Sequence, residues 1–369
     1  MVIPGYRARQ PTFARVAIPH RRYMTGTDRN LSIEMVARKA KVSTATVSRT
    51  INNVGNVRTE TAKRVWDAVR ALQYHPNAYA RTLGSGRSRI LGLIISDICN
   101  PFFPDLIKSF EDAALACGYE VLLTNTNYDP GRMARCAQRM IERRVEGVAV
   151  MTSEMDRQIL AELASRAIPV ACLDSAIPGD RISNIRVQYP HGIAEAIAYL
   201  YRLGHRRIGF LSGPANLRSA RVRRSAFLKA LRKHDIQVEP ELIQEGDHKI
   251  GGGEATVQKL LVLPRPPSAI LASNDLTAIG ALRAIQQRGL RVPGDISLIG
   301  FDDIELSQLT TPPLTTIQLS RTELGEKAFH ALFKLLQNKS QQGKEYRIET
   351  HLVVRQSTDQ APAQRAAAK

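Results

Sequence analysis

Residues 36–52 read VARKAKVSTATVSRTIN. The stretch predicts two short helices joined by a tight turn, because Val36, Ala37 and Ala40 recur at helical spacing and Ser43 is suited to cap the second helix. Small alanines let two helices approach each other closely at a steep angle. The stretch is therefore typical of a helix-turn-helix module.

The residues on both sides extend this module. Ser32 is suited to cap the first helix, and a third helix is predicted over about 59–73. The apolar stripe of this third helix comprises Ala62, Val65, Trp66, Val69 and Leu72. We expect the three helices to form a small domain over 31–75. Residues 76–89 predict a helix of barely two turns, too short to be stable alone, and a Gly/Ser-containing linker.

The positive charge of the chain is concentrated near its beginning. Of the net charge of +18, residues 1–90 contribute +13, from 17 Lys/Arg against four Asp/Glu. A basic module attached to a near-neutral body predicts a polyanionic partner such as nucleic acid. Residues 1–30 show neither helix nor strand periodicity. We expect them to be a basic disordered arm, or a leader upstream of a true start at Met24.

From Ile90 onward, short runs of Val, Ile and Leu alternate with amphipathic stretches. This alternation predicts parallel strands that are buried on both faces and covered by helices. Residues 90–355 are long enough for two α/β lobes, and we expect 356–369 to be a disordered tail. Ligands bind beyond the carboxyl ends of such strands. The predicted strands are 90–96, 120–125, 147–151, 170–173, 208–211, 269–272 and 296–300.

Several classes of protein are disfavoured by what the sequence lacks. It contains no apolar run long enough to span a membrane, no secretory signal and no C-x-x-C pair among its four cysteines. Catalytic and phosphate-binding motifs are missing too, and no two of the eight histidines are four residues apart. The sequence therefore predicts a cytoplasmic protein that is not an enzyme, with no cofactor and no metal site.

The stretch 36–52 resembles the DNA-binding headpiece of the lactose/galactose repressor (LacI/GalR) family, whose pattern is V-A-x-x-A-x-V-S-x-x-T-V-S-R-x-[IVL]-N. The resemblance covers roughly residues 32–355. It implies an all-α helix-turn-helix headpiece, followed by an α/β body of two doubly wound parallel-sheet lobes like the periplasmic binding proteins. The resemblance continues in the body at 100–103, 203–209, 273–275, 295–303 and 313–317.

The resemblance also implies which residues contact DNA. Thr44 and Ala45 are expected to contact base edges in the major groove, and Arg49 adds a base or phosphate contact. The hinge helix is expected to fold on DNA and to place Leu83 as an apolar wedge in the minor groove. The expected DNA contacts are Ser43, Thr44, Ala45, Thr46, Ser48, Arg49, Asn52, Asn77, Ala80, Arg81 and Leu83.

A sugar or sugar derivative is the expected effector, bound in a cleft between the lobes. Aromatic rings can stack on the C–H face of a sugar, carboxylates can accept from its hydroxyls, and Arg or Asn can bind neighbouring hydroxyls or a carboxylate. An Asp after a strand is also often only a helix cap. Leu217 stands where the purine repressor has an Arg, which disfavours a purine. The expected contacts are Asn100, Phe102, Phe103, Asp174, Arg223, Asn274 and Asp302, with Asp97, Ser219 and His248 as weaker candidates.

These patterns together predict a ligand-responsive repressor that binds a near-palindromic operator. We expect a homodimer, because two-fold protein symmetry matches the operator and residues 356–369 contain no Leu for a tetramerising heptad helix. The chief alternative is a periplasmic-type sugar-binding receptor without regulatory DNA binding. A second alternative is an enzyme that has adopted the fold.

Overall fold

The computed structural model divides into two compact units, with the boundary at Gly84. No helix in the described ranges is long and apolar enough to cross a bilayer. The residues that the structure describes are 32–52, 55–74, 87–152, 157–174, 177–338 and 342–362.

The described part of the first unit contains three helices around one apolar cluster, α1 (Ile33–Ala40), α2 (Thr44–Ile51) and α3 (Thr59–Leu72). Lys41 adopts a left-handed conformation (φ 54°), which ends α1 and turns the chain into α2. The predicted stripe of α3 is wrong at Trp66, whose side chain is 40% exposed, and the buried Ala68 packs in the cluster instead. The buried members of the cluster are Val36, Ala37, Ala40, Val47, Val65, Ala68 and Val69.

The second unit contains twelve strands in its described part, together with nine helices and the short 3₁₀ turn Pro240–Leu242. In chain order the strands are β1 (Ile90–Ile95), β2 (Glu120–Asn125), β3 (Gly147–Met151), β4 (Val170–Leu173), β5 (Ile182–Val187), β6 (Ile208–Ser212), β7 (Ile243–Glu245), β8 (Ala269–Ala272), β9 (Ser297–Asp302), β10 (Thr315–Leu319), β11 (Glu345–Ile348) and β12 (Thr350–Val353). The helices are α4 (Phe103–Ala116), α5 (Pro130–Glu142), α6 (Arg157–Ser165), α7 (Tyr189–Arg202), α8 (Arg218–Lys233), α9 (Ile250–Leu261), α10 (Asp275–Gln287), α11 (Leu306–Leu309) and α12 (Arg321–Gln337).

The strands form two six-stranded sheets, and each sheet is the centre of one lobe. Lobe 1 has the order β11-β5-β4-β3-β1-β2, and lobe 2 has the order β12-β10-β9-β8-β6-β7. All pairs are parallel except β10 with β12. Apart from that antiparallel edge strand, the expected fold class of a helix-turn-helix headpiece and a two-lobed α/β body is confirmed.

The chain passes between the two sheets three times. It leaves lobe 1 after β5 and enters α7, returns after β10 through α12, and passes once more from β11 to β12. Since each lobe is built from discontinuous parts of the chain, residues far apart in sequence meet where the lobes face each other.

The structure corrects the predicted strands and the predicted tail. All seven predicted strands occur within two residues of their expected bounds, but β5, β7, β10, β11 and β12 were missed. Residues 356–362 were expected to be disordered, and this is wrong. Ser357 is fully buried, its hydroxyl donates to the Leu298 carbonyl at 2.5 Å and accepts from Thr315 N at 2.8 Å, and Ala361 N donates to the Leu203 carbonyl. These bonds make 356–362 part of lobe 2.

Candidate DNA-binding surface and effector cleft

The outer face of α2 presents the residues predicted to contact bases. Thr44, Ala45 and Arg49 are exposed, because Val47 and Thr50 occupy the buried side of the same helix. The small side chains of Thr44 and Ala45 in the first turn allow the helix to approach a DNA groove closely, and the Arg49 guanidinium lies one turn further along. The geometry therefore suits a helix that enters a major groove with its N-terminal end.

The first turn of α2 is fixed by its own side chains. The Ser43 hydroxyl accepts a hydrogen bond from Thr46 N at 3.2 Å, and the hydroxyls of the two residues are 2.9 Å apart. At the other end, Asn52 Nδ2 donates to the Ser48 hydroxyl at 3.2 Å. Ser43 and Asn52 are exposed, whereas Thr46 and Ser48 are half-buried. Ser43 is thus an N-cap as well as a group that DNA can reach.

The surface of the first unit is basic. Residues 32–74 contain eight Lys/Arg and three acidic residues. Arg38, Lys39 and Lys41 are exposed at the end of α1 and in the turn before α2. Cations beside a recognition helix are placed to bind phosphates and to orient the helix on the duplex.

Four of the predicted DNA contacts belong to the hinge segment. Asn77, Ala80, Arg81 and Leu83 lie outside the described residues, so their expected roles stay predictions.

Six of the seven predicted effector contacts line a single cleft between the two lobes. Asn100, Phe102 and Phe103 come from the loop after β1 and the start of α4 in lobe 1. They face Arg223, Asn274 and Asp302, which come from α8 and from the ends of β8 and β9 in lobe 2. The cleft lies beyond the carboxyl ends of the strands, as the sheet topology predicts.

On the lobe 2 side of the cleft, Arg223 contacts two aromatic rings, a backbone carbonyl and a carboxylate. Its guanidinium is stacked on Phe301, 4.1 Å from the ring centroid, and on Tyr189 at 4.8 Å. One terminal nitrogen donates to the Ser273 carbonyl, and the other lies 3.4 Å from Asp302 Oδ1. Among the described residues, its buried Nε–H has no hydrogen-bond partner. A buried donor of this kind is costly unless a ligand accepts from it.

Asp302 is the buried carboxylate of the cleft, and only 5% of it is exposed. Burial raises its pKa from 3.8 to about 6, although the positive charges of Arg223 and Arg321 oppose the rise. Its backbone has a φ of 112°, a conformation that side-chain-bearing residues rarely adopt. The chain therefore maintains a strained, incompletely neutralised acid where a hydroxyl of a ligand can donate to it.

His248 adds a second buried nitrogen that lacks a partner among the described residues, Nε2. Burial, reinforced by the charge of Arg223, lowers its pKa to about 3, so the ring is neutral at physiological pH. A Cβ at Gly213 would overlap this ring, which explains why a glycine stands there. The neutral imidazole can exchange a hydrogen bond with a polar ligand.

Asp174 is the predicted contact that does not line the cleft. Its Oδ1 accepts from Val187 N at 2.9 Å, and its Oδ2 accepts from the Tyr189 hydroxyl at 2.8 Å. Burial raises its pKa, and these hydrogen bonds oppose the rise. Both oxygens are thus used within the protein, and Asp174 positions the tyrosine on which Arg223 stacks.

Asn274 and Asn100 line the cleft while also stabilising the backbone. Asn274 Oδ1 accepts from Thr277 N as the N-cap of α10, and its Nδ2 donates to the His248 carbonyl at 3.0 Å. Asn100 Oδ1 accepts from Phe102 N at 2.9 Å. About half of the side-chain hydrogen-bonding capacity of Asn274, and about three quarters of that of Asn100, remains for a ligand.

Sequence reasoning missed several cleft residues. Tyr189 follows β5, a strand that was not predicted, so no local signal pointed to it. Ser96 and Thr152, whose hydroxyls are 2.9 Å apart, directly follow β1 and β3 and could have been found by the strand-end rule. Of the weaker candidates, Ser219 and His248 line the cleft, whereas Asp97 instead accepts from Cys99 N.

Comparison with known proteins identifies relatives of both units. Residues 32–77 match the family model "Bacterial regulatory proteins, lacI family", and 197–358 match "Periplasmic binding protein-like domain". The repressor PurR of Aliivibrio salmonicida is 34% identical over 327 residues, which are 88% of this chain and 98% of that protein. The repressor CytR of Escherichia coli K12 is also 34% identical, over 89% of this chain and 96% of its own length.

Solved structures agree with these relatives. The Lac repressor dimer bound to operator and the anti-inducer ONPF has a TM-score of 0.80 at 29% identity, over 89% of this chain and 99% of its own. The complex of the regulator CelR with cellobiose has a TM-score of 0.67 at 25% identity, over the same shares. The resemblance noted in the sequence is confirmed: the chain is a transcriptional regulator and not an enzyme, and it belongs to the lacI family of bacterial regulatory proteins.

Proposed function

We propose that the chain is a ligand-responsive repressor that binds a near-palindromic operator as a homodimer and senses a sugar or sugar derivative in the cleft. The observation that carries the proposal is the pair of buried nitrogens in the cleft, Arg223 Nε and His248 Nε2, which lack partners among the described residues. They lie beside a buried carboxylate and opposite an aromatic wall. A polyhydroxylated ring offers partners for all of these groups.

The lining of the cleft, with Leu217 beside two aromatic rings, favours a sugar over a purine. Phe102 and Phe103 form an edge-to-face pair with centroids 5.2 Å apart, and both line the cleft. Such rings can pack against the C–H groups of a sugar. Leu217, only 2% exposed, lines the same cleft and offers no hydrogen-bonding group to a base. Asp302 and Arg223 then bind hydroxyls, with Asp302 accepting and Arg223 donating.

The DNA-binding half of the proposal rests on the exposed face of α2. Thr44 and Ala45 contact base edges, and Arg49 contacts a guanine or a phosphate. The remaining side chains stabilise the helix or contact the DNA phosphate backbone; they are Ser43, Thr46, Ser48 and Asn52. In a homodimer two such helices meet two half-sites related by two-fold symmetry. The Lac repressor dimer on its operator is the relative that suggests this arrangement. We expect the protein to act in the cytoplasm, where chromosomal DNA is accessible.

Ligand and DNA are coupled through the relative position of the lobes. Arg321, at the start of α12 in lobe 1, bonds Asp105 of lobe 1 at 2.9 Å and the carbonyls of Asp302 and Asp303 in lobe 2. A ligand that contacts both walls favours one separation of the lobes. We propose that this change reaches the hinge segment 76–89, with a coupling of about 1–3 kcal/mol.

Two variants of the full-length chain test the two halves separately. We expect Arg49→Ala to weaken operator binding and to leave sugar binding unchanged. Sugar binding is measured by thermal shift against sugars, sugar acids and nucleosides. Asp302→Asn should weaken sugar binding and leave operator binding unchanged. A chain that binds sugar but retards no genomic fragment at low salt would instead be a sugar-binding receptor. A chain that retards DNA but responds only to nucleosides would contradict the sugar assignment.

A further inference from the structure

Two of the three segments in which the chain crosses between the lobes enter lobe 2 at the same place. The passage after β5 opens α7 at Tyr189, and the passage after β11 opens β12 at Thr350. His191 and Glu195 lie one turn apart on α7, and His351 lies on β12. One ligand atom from each of these three side chains lies within 4.8 Å of the others.

Hydrogen bonds orient His191 as a ligand would require. Its Nδ1 is 2.9 Å from the carbonyl oxygen of Thr350, which can only accept, so Nδ1 carries the proton in this contact. The lone pair of the neutral ring is then on Nε2, which lies 3.7 Å from Glu195 Oε1. A histidine whose other ring nitrogen donates to a carbonyl is the usual arrangement at metal sites, because it fixes the tautomer and the ring orientation.

Glu195 is oriented in the same way. Its Oε2 accepts from Leu352 N at 2.8 Å, which turns Oε1 towards His191. The rings of His191 and His351 meet edge to face with centroids 5.3 Å apart. Two imidazoles and one carboxylate therefore lie close enough to share one ion, and the two histidines are exposed enough for the ion to enter.

The backbone that carries these three side chains is tightly held. Thr350 is fully buried, and its hydroxyl accepts from Gly192 N at 3.0 Å and donates to the Gln188 carbonyl at 2.8 Å. A Cβ at Gly192 would collide with Ile317 and with that hydroxyl, so a glycine lets α7 lie directly against β12. The ligand set is thus built on two fixed elements.

We propose that His191, Glu195 and His351 bind a divalent transition-metal ion of the zinc class, with water completing the coordination. Two histidines and a carboxylate are a ligand set that Zn²⁺, Co²⁺ and Ni²⁺ accept. Ligands about 2.0–2.2 Å from zinc lie roughly 3.3–3.6 Å from each other in a tetrahedron. His191 Nε2 and Glu195 Oε1, which are 3.7 Å apart, need only a small rotation to reach that separation, and the ligand atom of His351 lies within 4.8 Å of the other two. The bound ion would cross-link α7 and β12, the two elements at which the chain enters lobe 2 from lobe 1.

The sequence predicted no metal site, because no two histidines are four residues apart. The i,i+4 partner of His191 is a glutamate, and the third ligand is 160 residues further along the chain. Only the pairing of α7 with β12 brings the three together. None of the three side chains lines the effector cleft.

The test is a Zn²⁺ titration of the full-length protein against a chromogenic indicator, together with thermal denaturation with and without Zn²⁺. His191→Asn retains an amide donor for the Thr350 carbonyl, Glu195→Gln retains an acceptor for Leu352 N, and both remove a ligand. His351→Gln removes the third ligand, and His330→Gln, on an exposed histidine of lobe 1, is the matched control.

We expect one Zn²⁺ equivalent to be bound at least about tenfold more weakly in each of the three variants than in wild type or the control. The rise in melting temperature that Zn²⁺ causes should disappear in the same three variants. Equal affinity in all five proteins would overturn the proposal, because the ion would then be bound elsewhere. A wild-type protein that takes up no Zn²⁺ in competition with the indicator would overturn it as well.

Discussion

Replacing Asp302 with Asn should stabilise the ligand-free protein and weaken its binding of ligand. Burial raises the pKa of Asp302 from 3.8 to about 6 despite the nearby charges of Arg223 and Arg321. A rise of this size means that the folded protein favours the neutral carboxyl over the carboxylate by about 3 kcal/mol, compared with the unfolded chain. An amide has nearly the same shape and no charge, so it removes that cost.

The sign of the pH dependence follows from the raised pKa. The stabilisation that the protonated Asp302 provides is fully present below pH 3.8, the unfolded value, and it is lost as the pH rises through about 6. Asp174 and Asp275 are also buried acids with raised pKa values, so wild type and variant share much of their pH dependence. The difference between them isolates Asp302: it is small near pH 4 and approaches about 3 kcal/mol above pH 7.

The measurement is urea denaturation of the full-length chain at several pH values between 4 and 8. Far-UV circular dichroism reports the α/β body, whereas Trp66, the one tryptophan, reports the headpiece. Asp112→Asn is the matched control, since Asp112 is exposed on α4 and pairs with Lys108 at the surface. A variant that is less stable than wild type at pH 7 would refute the reasoning, because it would show that the carboxylate is needed to neutralise Arg223.

Four further outcomes follow from the geometry. Ser43→Ala removes the N-cap of α2 and should lower the unfolding free energy of the headpiece by about 1 kcal/mol, measured by Trp66 fluorescence; an unchanged midpoint would contradict the capping role. Arg49→Ala should lower the preference for operator over unrelated DNA by about 1–3 kcal/mol in competition mobility shifts, whereas equal loss on both DNAs would leave it only a phosphate contact. Operator affinity should fall by orders of magnitude from low to physiological salt, as for proteins that neutralise about 6–10 phosphates, and a flat salt response would contradict the basic-headpiece account. Arg321→Met removes the bonds of Arg321 to the Asp105 carboxylate in lobe 1 and to the Asp302 carbonyl in lobe 2, and it should alter effector affinity; calorimetry showing the same effector affinity would exclude a role in lobe closure.

Much of the architecture could be predicted from local patterns in the sequence. The spacing of Val36, Ala37 and Ala40 and the cap at Ser43 predicted α1 and α2, because helix periodicity and capping act over a few residues. The buried strands of Val, Ile and Leu were found for the same reason. Five strands that each contain polar residues, β5, β7, β10, β11 and β12, were not. β5 contains the buried Ser183 and Asn184, and Thr350 of β12 is buried because its hydroxyl is hydrogen-bonded within the fold.

The candidate cleft shows the same division at the level of single residues. Asp174 and Asp302 look alike in the sequence, since both follow a buried strand, but Asp174 bonds Val187 and Tyr189 whereas Asp302 faces the cleft. Which role an acid takes depends on the groups that reach its two oxygens. Those groups come from other segments, so no local pattern distinguishes the two residues.

The family, the helix-turn-helix and the alternation of strands and helices could be derived from the order of residues alone, because each depends on neighbours a few positions apart. The contact of Arg223 with Asp302, 79 residues away, required the folded chain. So did the meeting of His191 with His351. The neighbouring positions of β6, β8 and β9 in one sheet create the first of these long-range contacts, and the return of the chain from lobe 1 to lobe 2 creates the second. The energy of a buried charge or of a ligand set depends on such contacts.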